Sequence, residues 1–388
     1  MKKIYKPLLY LTILSLPLYL LRFRIGPIPT TVFEILIYIS FIFGLTGHEI
    51  KLRRKTAIYW ALLFVLSGFL AVLVDPDHLR AFGLWKAYFF DGLLLFIMVK
   101  SLLDVERARV VKVLIWSGLL TSAAAILLFL LGQKTVDGRL YDLDKLSPNY
   151  LAMYLVPIFV GCIFTIVENA KVKKSSYLEA IAIAIMLSAL YLTKSRGALM
   201  AIPVGLLFIG FEFTKSTRAK RNYAFATAAT IILILSATFL VFKPQMNDLG
   251  RAGASSNIRY YIWQTSIEIA KENPVLGVGL SNYQDYFTNL TRDRVNYPEF
   301  IAPQALTAHN LYLQIYVTCG IMGIVTFLIL VVYALTRRPK IIYTAMLVAI
   351  LAYGLVDTPF FRNDLAALFW VVLALNVAKT VKGEKLSF

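Results

Sequence analysis

Cysteine is scarce, two residues in 388, and both sit inside apolar runs, Cys162 and Cys319. That placement excludes a disulfide framework or a thiolate metal site, and leaves them as small apolar residues. Charge is also scarce, at 16% of residues, and acidic residues number 22 against 40 basic ones. No internal repeat divides the chain into two similar halves. No small-residue cleavage site follows the first apolar run, so that run reads as a retained helix rather than a signal peptide.

Apolar residue is abundant instead. Hydrophobic side chains make up 59% of the sequence, and mean hydropathy is +0.70. A soluble domain holds about half. Runs near the length that crosses roughly 30 Å of hydrocarbon recur from end to end. Twelve spans are predicted, roughly at 7–24, 28–46, 57–74, 83–99, 110–131, 149–167, 178–193, 197–213, 222–242, 309–335, 340–357 and 364–379. The expected class is all-α and polytopic. Transmembrane helices 1–9 fill 1–242, one large helix-containing periplasmic loop spans 243–308, and helices 10–12 fill 309–388.

The net charge of +18 raises nucleic acid as a partner, but its distribution argues against that. Basic clusters occupy alternate connections: Lys51 to Lys55, Arg107 to Lys112, Lys171 to Lys174, Lys215 to Arg221 and Arg337 to Lys340. This is the positive-inside pattern of an inner-membrane protein surrounded by lipid. It places both termini in the cytoplasm and the remaining connections in the periplasm. Arg22 and Arg24 are exceptions on the outer side.

The outer face carries the ionisable residues that topology leaves unexplained. Arg196 lies between two apolar runs, His309 opens the tenth span, and Lys86 and Asp91 enter the fourth. Arg259 falls in the first turn of a helix expected after Ser255, Ser256 and Asn257. Ionisable groups at membrane depth are functional candidates by default. Structural readings stand beside each. Arg196 can snorkel to headgroups, Arg259 can be a solvated helix residue, and His309 can cap a span. His78, in Asp75-Pro76-Asp77-His78, reads first as a turn.

Two arginines and a histidine on one face suit an anionic substrate and a proton transfer. Arginine forks match phosphate oxygens, and a helix N-terminus adds oriented N–H groups. A neutral histidine can deprotonate a sugar hydroxyl attacking an anomeric carbon. The arginines would stabilise a leaving pyrophosphate without any cofactor. The pairs Asp75/Asp77 and Asp142/Asp144 keep a divalent-metal route open.

Lys194-Ser195-Arg196-Gly197-Ala198 resembles the Ser-Arg-Gly segment of the O-antigen ligase and polymerase superfamily. Arg259-Tyr260-Tyr261-Ile262-Trp263, with Asn273-Pro274 through Gly279, is similar to its periplasmic loop. Ala308-His309-Asn310, continuing to Gly323, resembles its His-Asn segment, and Ser147-Pro148-Asn149-Tyr150 also fits. The resemblance implies a twelve-helix membrane glycosyltransferase. Its catalytic residue would be His309, and Arg196 and Arg259 would bind substrate phosphate. Arg80 and Lys86 are further substrate-binding candidates, and Arg251, Arg292 and Arg294 compete for an additional loop arginine. The implied reaction moves a polysaccharide from an undecaprenyl-pyrophosphate-linked glycan donor to lipid A-core. The alternatives are a polymerase using a glycan acceptor, a protein O-glycosyltransferase, or a flippase for lipid-linked oligosaccharides. The missing repeat and the single asymmetric loop disfavour the flippase.

Overall fold

The structure is a computed structural model, described over residues 2–26, 28–50, 55–208, 210, 254–294, 301–337 and 339–377. The predicted ninth span, 222–242, lies outside the described residues. The helices are α1 (Lys2–Leu14), α2 (Val32–Thr46), α3 (Lys55–Val74), α4 (His78–Lys100), α5 (Asp104–Leu130), α6 (Pro148–Lys171) and α7 (Tyr177–Thr193). They continue as α8 (Arg196–Leu206), α9 (Ala254–Glu272), α10 (Tyr283–Thr291), α11 (Leu311–Thr336), α12 (Ile341–Tyr353) and α13 (Asn363–Val377). Among the described residues, α3, α4, α5, α6 and α11 are long and apolar enough to cross a membrane by length and composition. The shorter helices α1, α2, α7, α8, α12 and α13 are apolar as well.

Local chemistry sets the boundaries. Pro17 removes a backbone donor and stops helix propagation. The first expected span therefore ends in a 3-10 turn, Leu16–Leu20, followed by a hairpin of β1 (Arg22–Ile25) and β2 (Ile28–Thr31). The strands pair antiparallel, Arg22 opposite Thr31, which the run-length reading merged into spans. Thr31 then caps α2 reciprocally with Glu34. Helix α4 starts earlier than expected, because the Asp77 side chain accepts from the Arg80 N–H at 3.0 Å. It carries a π-helical segment at Lys86–Phe90.

Helix α6 lies at the centre, with 78% of its apolar window buried. It packs on α5, α7, α8 and α12, while α13 packs on α4 and α12. An aromatic cluster ties α3, α4, α11 and α13 together. Phe64 lies 5.0 Å from Phe89, 5.5 Å from Phe327 and 6.0 Å from Trp370, ring centre to ring centre. Peripheral faces stay apolar: Leu66, Leu127, Leu187, Leu199 and Val332 are exposed, as lipid contact requires.

The segment between α9 and α11 has its own small core of Ile262, Ile269, Tyr283, Phe287, Ile301 and Val317. It joins the bundle at two points. Asp75 accepts from the Ser281 N–H at 2.6 Å and the Ser281 hydroxyl at 2.8 Å. Helix α11 also breaks at Gly320, where φ is 64° and ψ −165°. The broken ladder is completed from the loop: Ile321 N–H donates to Pro274 O at 2.8 Å, and Val278 N–H to Val317 O at 2.9 Å. A side chain on Gly320 would collide with the Val275 carbonyl, and one on Gly277 with Val317. The eleventh expected span, 340–357, also differs. Helix α12 ends at Tyr353, and the following connection is largely buried, including Asp357 and Phe360.

Candidate active site

Three chain segments meet where α8, α9 and α11 begin beside the α12–α13 connection. Ser195 caps α8 by accepting from Ala198 N–H at 3.4 Å, and its hydroxyl lies 2.6 Å from the Tyr353 hydroxyl. Gly197 allows this approach, because any side chain there would run into the Tyr353 ring. Arg196 is thereby set at the α8 N-terminus, four residues of chain from Tyr353 to Asp357 away. Asn310 caps α11, accepting from Leu313 N–H at 3.0 Å, and its amide donates to Leu355 O at 2.9 Å. Leu311 N–H donates to Gly354 O at 2.7 Å. These bonds hold His309 against the α12–α13 connection, with His309 itself at φ 45°, a left-handed conformation uncommon for a residue with a side chain.

Asp357 is the hub. Its Oδ1 lies 3.3 Å from His309 Nδ1 and accepts from Thr358 N–H at 3.0 Å. Its Oδ2 accepts from the Asn149 amide at 3.0 Å and lies 3.5 Å from Arg259 Nη2. Burial pushes this carboxyl up, but the His309 contact, the charges of His309 and Arg259, and the Thr358 N–H outweigh it. The net result lies below the usual carboxylate range. His309 Nε2 stands 3.3 Å from Gln304 O. Both ring nitrogens therefore face acceptors.

A cleft of about 290 Å³ adjoins this hub, lined by Arg139, Asn149, Lys194, Arg196, Arg259 and Asp357, with Asp137 at its rim. Four cations face two carboxylates. Arg139 Nε lies 2.7 Å from Asp137, and Lys194 ends α7 in a left-handed conformation with φ 49°. The α8 N-terminus adds the N–H groups of Arg196 and Gly197, which have no intrahelical acceptor. Such a surface is built to hold an anion.

Residues 181–328 match the family model described as O-Antigen ligase. Over that stretch the chain is similar to the O-antigen ligase superfamily. No curated protein matches the chain. The matched stretch contains Arg196, Arg259 and His309, the trio that the sequence motifs singled out. The mainly helical, apolar architecture of the described residues agrees with a membrane-embedded family of the O-antigen ligase type.

The other sequence candidates fall elsewhere. Arg80 is exposed, its Nη1 3.9 Å from Asp285. Lys86 sits in the π segment of α4, 2.7 Å from Glu34 and 3.9 Å from Asp91, whose other oxygen accepts from Tyr38 at 2.7 Å. Neither lines the cleft. Arg292 bonds Asn289 at 2.9 Å and Arg294 pairs with Glu268 at 2.5 Å, while Arg251 lies outside the described residues. The aspartate pairs have structural partners: Asp75 on Ser281, Asp77 on α4, Asp142 on Arg362, and Asp144 on Arg22 at 2.9 Å. Helix α9 begins at Ala254, so Arg259 lies beyond its first turn, and the expected help from that helix N-terminus falls away. The N-terminus beside the cleft is that of α8. Sequence reasoning missed Asp357, Arg139 and the position of Lys194. Asp357 was legible in principle, since it is a carboxylate at the outer boundary of an apolar run.

Proposed function

We propose that the protein transfers a glycan from undecaprenyl pyrophosphate to lipid A-core at the periplasmic face of the inner membrane, as an O-antigen ligase without a metal cofactor. The observation that carries this reading is the shared carboxylate: Asp357 touches both His309 and Arg259 at the edge of a cationic cleft containing Arg196. In this reaction Asp357 accepts from His309 Nδ1–H and fixes the tautomer with Nε2 as base. The acceptor hydroxyl takes the place of the Gln304 carbonyl at Nε2. Its proton passes to His309 as its oxygen bonds the anomeric carbon. The bond from that carbon to the pyrophosphate oxygen breaks, and the leaving oxygen keeps the electron pair. Arg196, Arg259 and the α8 N-terminus stabilise the pyrophosphate charge. Arg139 and Lys194 extend the same field along the cleft and hold the donor before transfer.

Reconstitution in liposomes with an undecaprenyl-pyrophosphate glycan and purified lipid A-core tests this. Transfer that persists in excess chelator is expected. Elongation of the lipid-linked glycan without lipid A-core modification would instead assign a polymerase. Translocation of the donor without transfer would assign a flippase.

A further inference from the structure

A second cleft, about 320 Å³, opens between α5 and the start of α7. It lies at the opposite end of the bundle from the first. Helix α6 begins beside Asn149 and runs 24 residues to Lys171, a rise of roughly 36 Å. Lys112 and Lys174 line this cleft and repel each other across it. Neither ammonium has a carboxylate within salt-bridge distance among the described residues. Glu179 also lines the cleft and offsets one of the two charges.

The wall below the lysines is apolar. It is formed by Trp116, Leu119 and Leu178, and Trp116 and Leu178 are 44% and 59% exposed. Tyr177 at the rim is 81% exposed. Tryptophan and tyrosine concentrate where headgroups meet hydrocarbon, so this pair marks the interface level. Cations at headgroup height, aromatics at the boundary and leucines below reproduce the profile of one phospholipid molecule. A free anion would use the lysines and leave the apolar wall in water.

We infer that this cleft binds an anionic phospholipid, its phosphate against Lys112 and Lys174 and one acyl chain along Trp116, Leu119 and Leu178. Basic pockets between membrane helices bind such headgroups through the same combination. The inference is independent of the transfer chemistry proposed for the other end of the molecule.

Delipidated full-length protein would be titrated with phosphatidylglycerol and, separately, with phosphatidylcholine, and bound lipid counted by native mass spectrometry. Wild type is expected to retain one phosphatidylglycerol under activation that strips phosphatidylcholine. Lys112→Gln with Lys174→Gln should weaken phosphatidylglycerol binding about thirtyfold, since each lysine contributes roughly a factor of five near a lipid surface. Exposed Lys174→Gln alone gives a reading of about fivefold should the double variant fold poorly. The control Lys171→Gln with Lys173→Gln removes equal charge from the same connection but not from the cleft, and should keep wild-type binding. Undiminished binding by the Lys112/Lys174 variant overturns the site. An equal loss in the control overturns it too, because the attraction would then be diffuse. Displacement of the lipid by equimolar inorganic phosphate would reduce the cleft to a simple anion site and overturn the acyl-chain assignment.

Discussion

At the scale of single residues, His309 and Asp357 should act as a pair. His309→Gln keeps a hydrogen bond but cannot take a proton near neutral pH, and transfer should fall by about two to four orders of magnitude. Single-turnover assays at saturating donor check this, and activity within about threefold of wild type would leave His309 a capping residue. Asp357→Asn removes the charge that fixes the ring and should cost at least about a hundredfold in rate, with donor binding retained. Rescue at higher donor concentration would contradict that split. Asp357 also has a pH signature. Its folded carboxyl titrates below its ordinary value, so its contribution to stability is complete above about pH 4 and disappears as pH falls through the folded value. Wild-type melting temperature should therefore drop more steeply in that acid range than that of Asp357→Asn.

Arg139→Ala and Lys194→Ala should act differently, raising KM for the donor several-fold at low salt with little change in kcat, an effect that fades as ionic strength rises. An unchanged KM would remove them from donor binding. The trio Arg196, Arg259 and His309 was visible in the sequence because charge beside apolar runs has no topological purpose. Asp357 obeys the same rule but closes an apolar run, where it read as a span end. Arg139 stands in a polar connection, where nothing in the residue order separates a cleft-lining arginine from a solvated one.

At the scale of elements, the stitch between the loop and α11 is the most position-dependent backbone feature. Gly320 occupies the left-handed region and its missing side chain makes room for the Val275 carbonyl. Gly320→Ala should lower stability by about 1–3 kcal/mol or more from strain and displaced hydrogen bonds. Thermal unfolding in detergent measures it, and a melting temperature equal to wild type would show that the loop shifts without penalty. Helix α9 was expected from apolar spacing, starting after Asn257 rather than at Ala254. The break in α11 was not, because the surrounding run is uniformly apolar and the partner that satisfies its backbone lies more than forty residues earlier, at Pro274 and Val275. The hairpin at Arg22–Thr31 was missed for another reason: the run-length reading carried two spans up to Gly26 and Pro27 and did not weigh Arg22, Arg24 and Pro29 as breaks.

At the scale of the molecule, basic-residue placement predicts opposite sides for the α10 surface and the end of α11. After both buried native cysteines are replaced by alanine, Asn289→Cys should react with an impermeant thiol reagent in intact cells and Thr336→Cys should not. The reverse pattern would invert the orientation. The exchange of partners between distant segments is what run-length reading cannot supply: Asn149, Arg259 and His309 all converge on a carboxylate near the end of the chain.

That convergence has a consequence for biosynthesis. Chains emerge at about 5–20 residues per second, N-terminal segments first. Arg196, Arg259 and His309 are all synthesised before Asp357, and Tyr353, which seats the Ser195–Gly197 turn, also arrives late. A nascent chain synthesised as far as the end of α11 therefore carries the cations without the group that arranges them. Under the proposed chemistry, transfer therefore begins only once the α12–α13 connection has joined the earlier segments and brought Asp357 to His309.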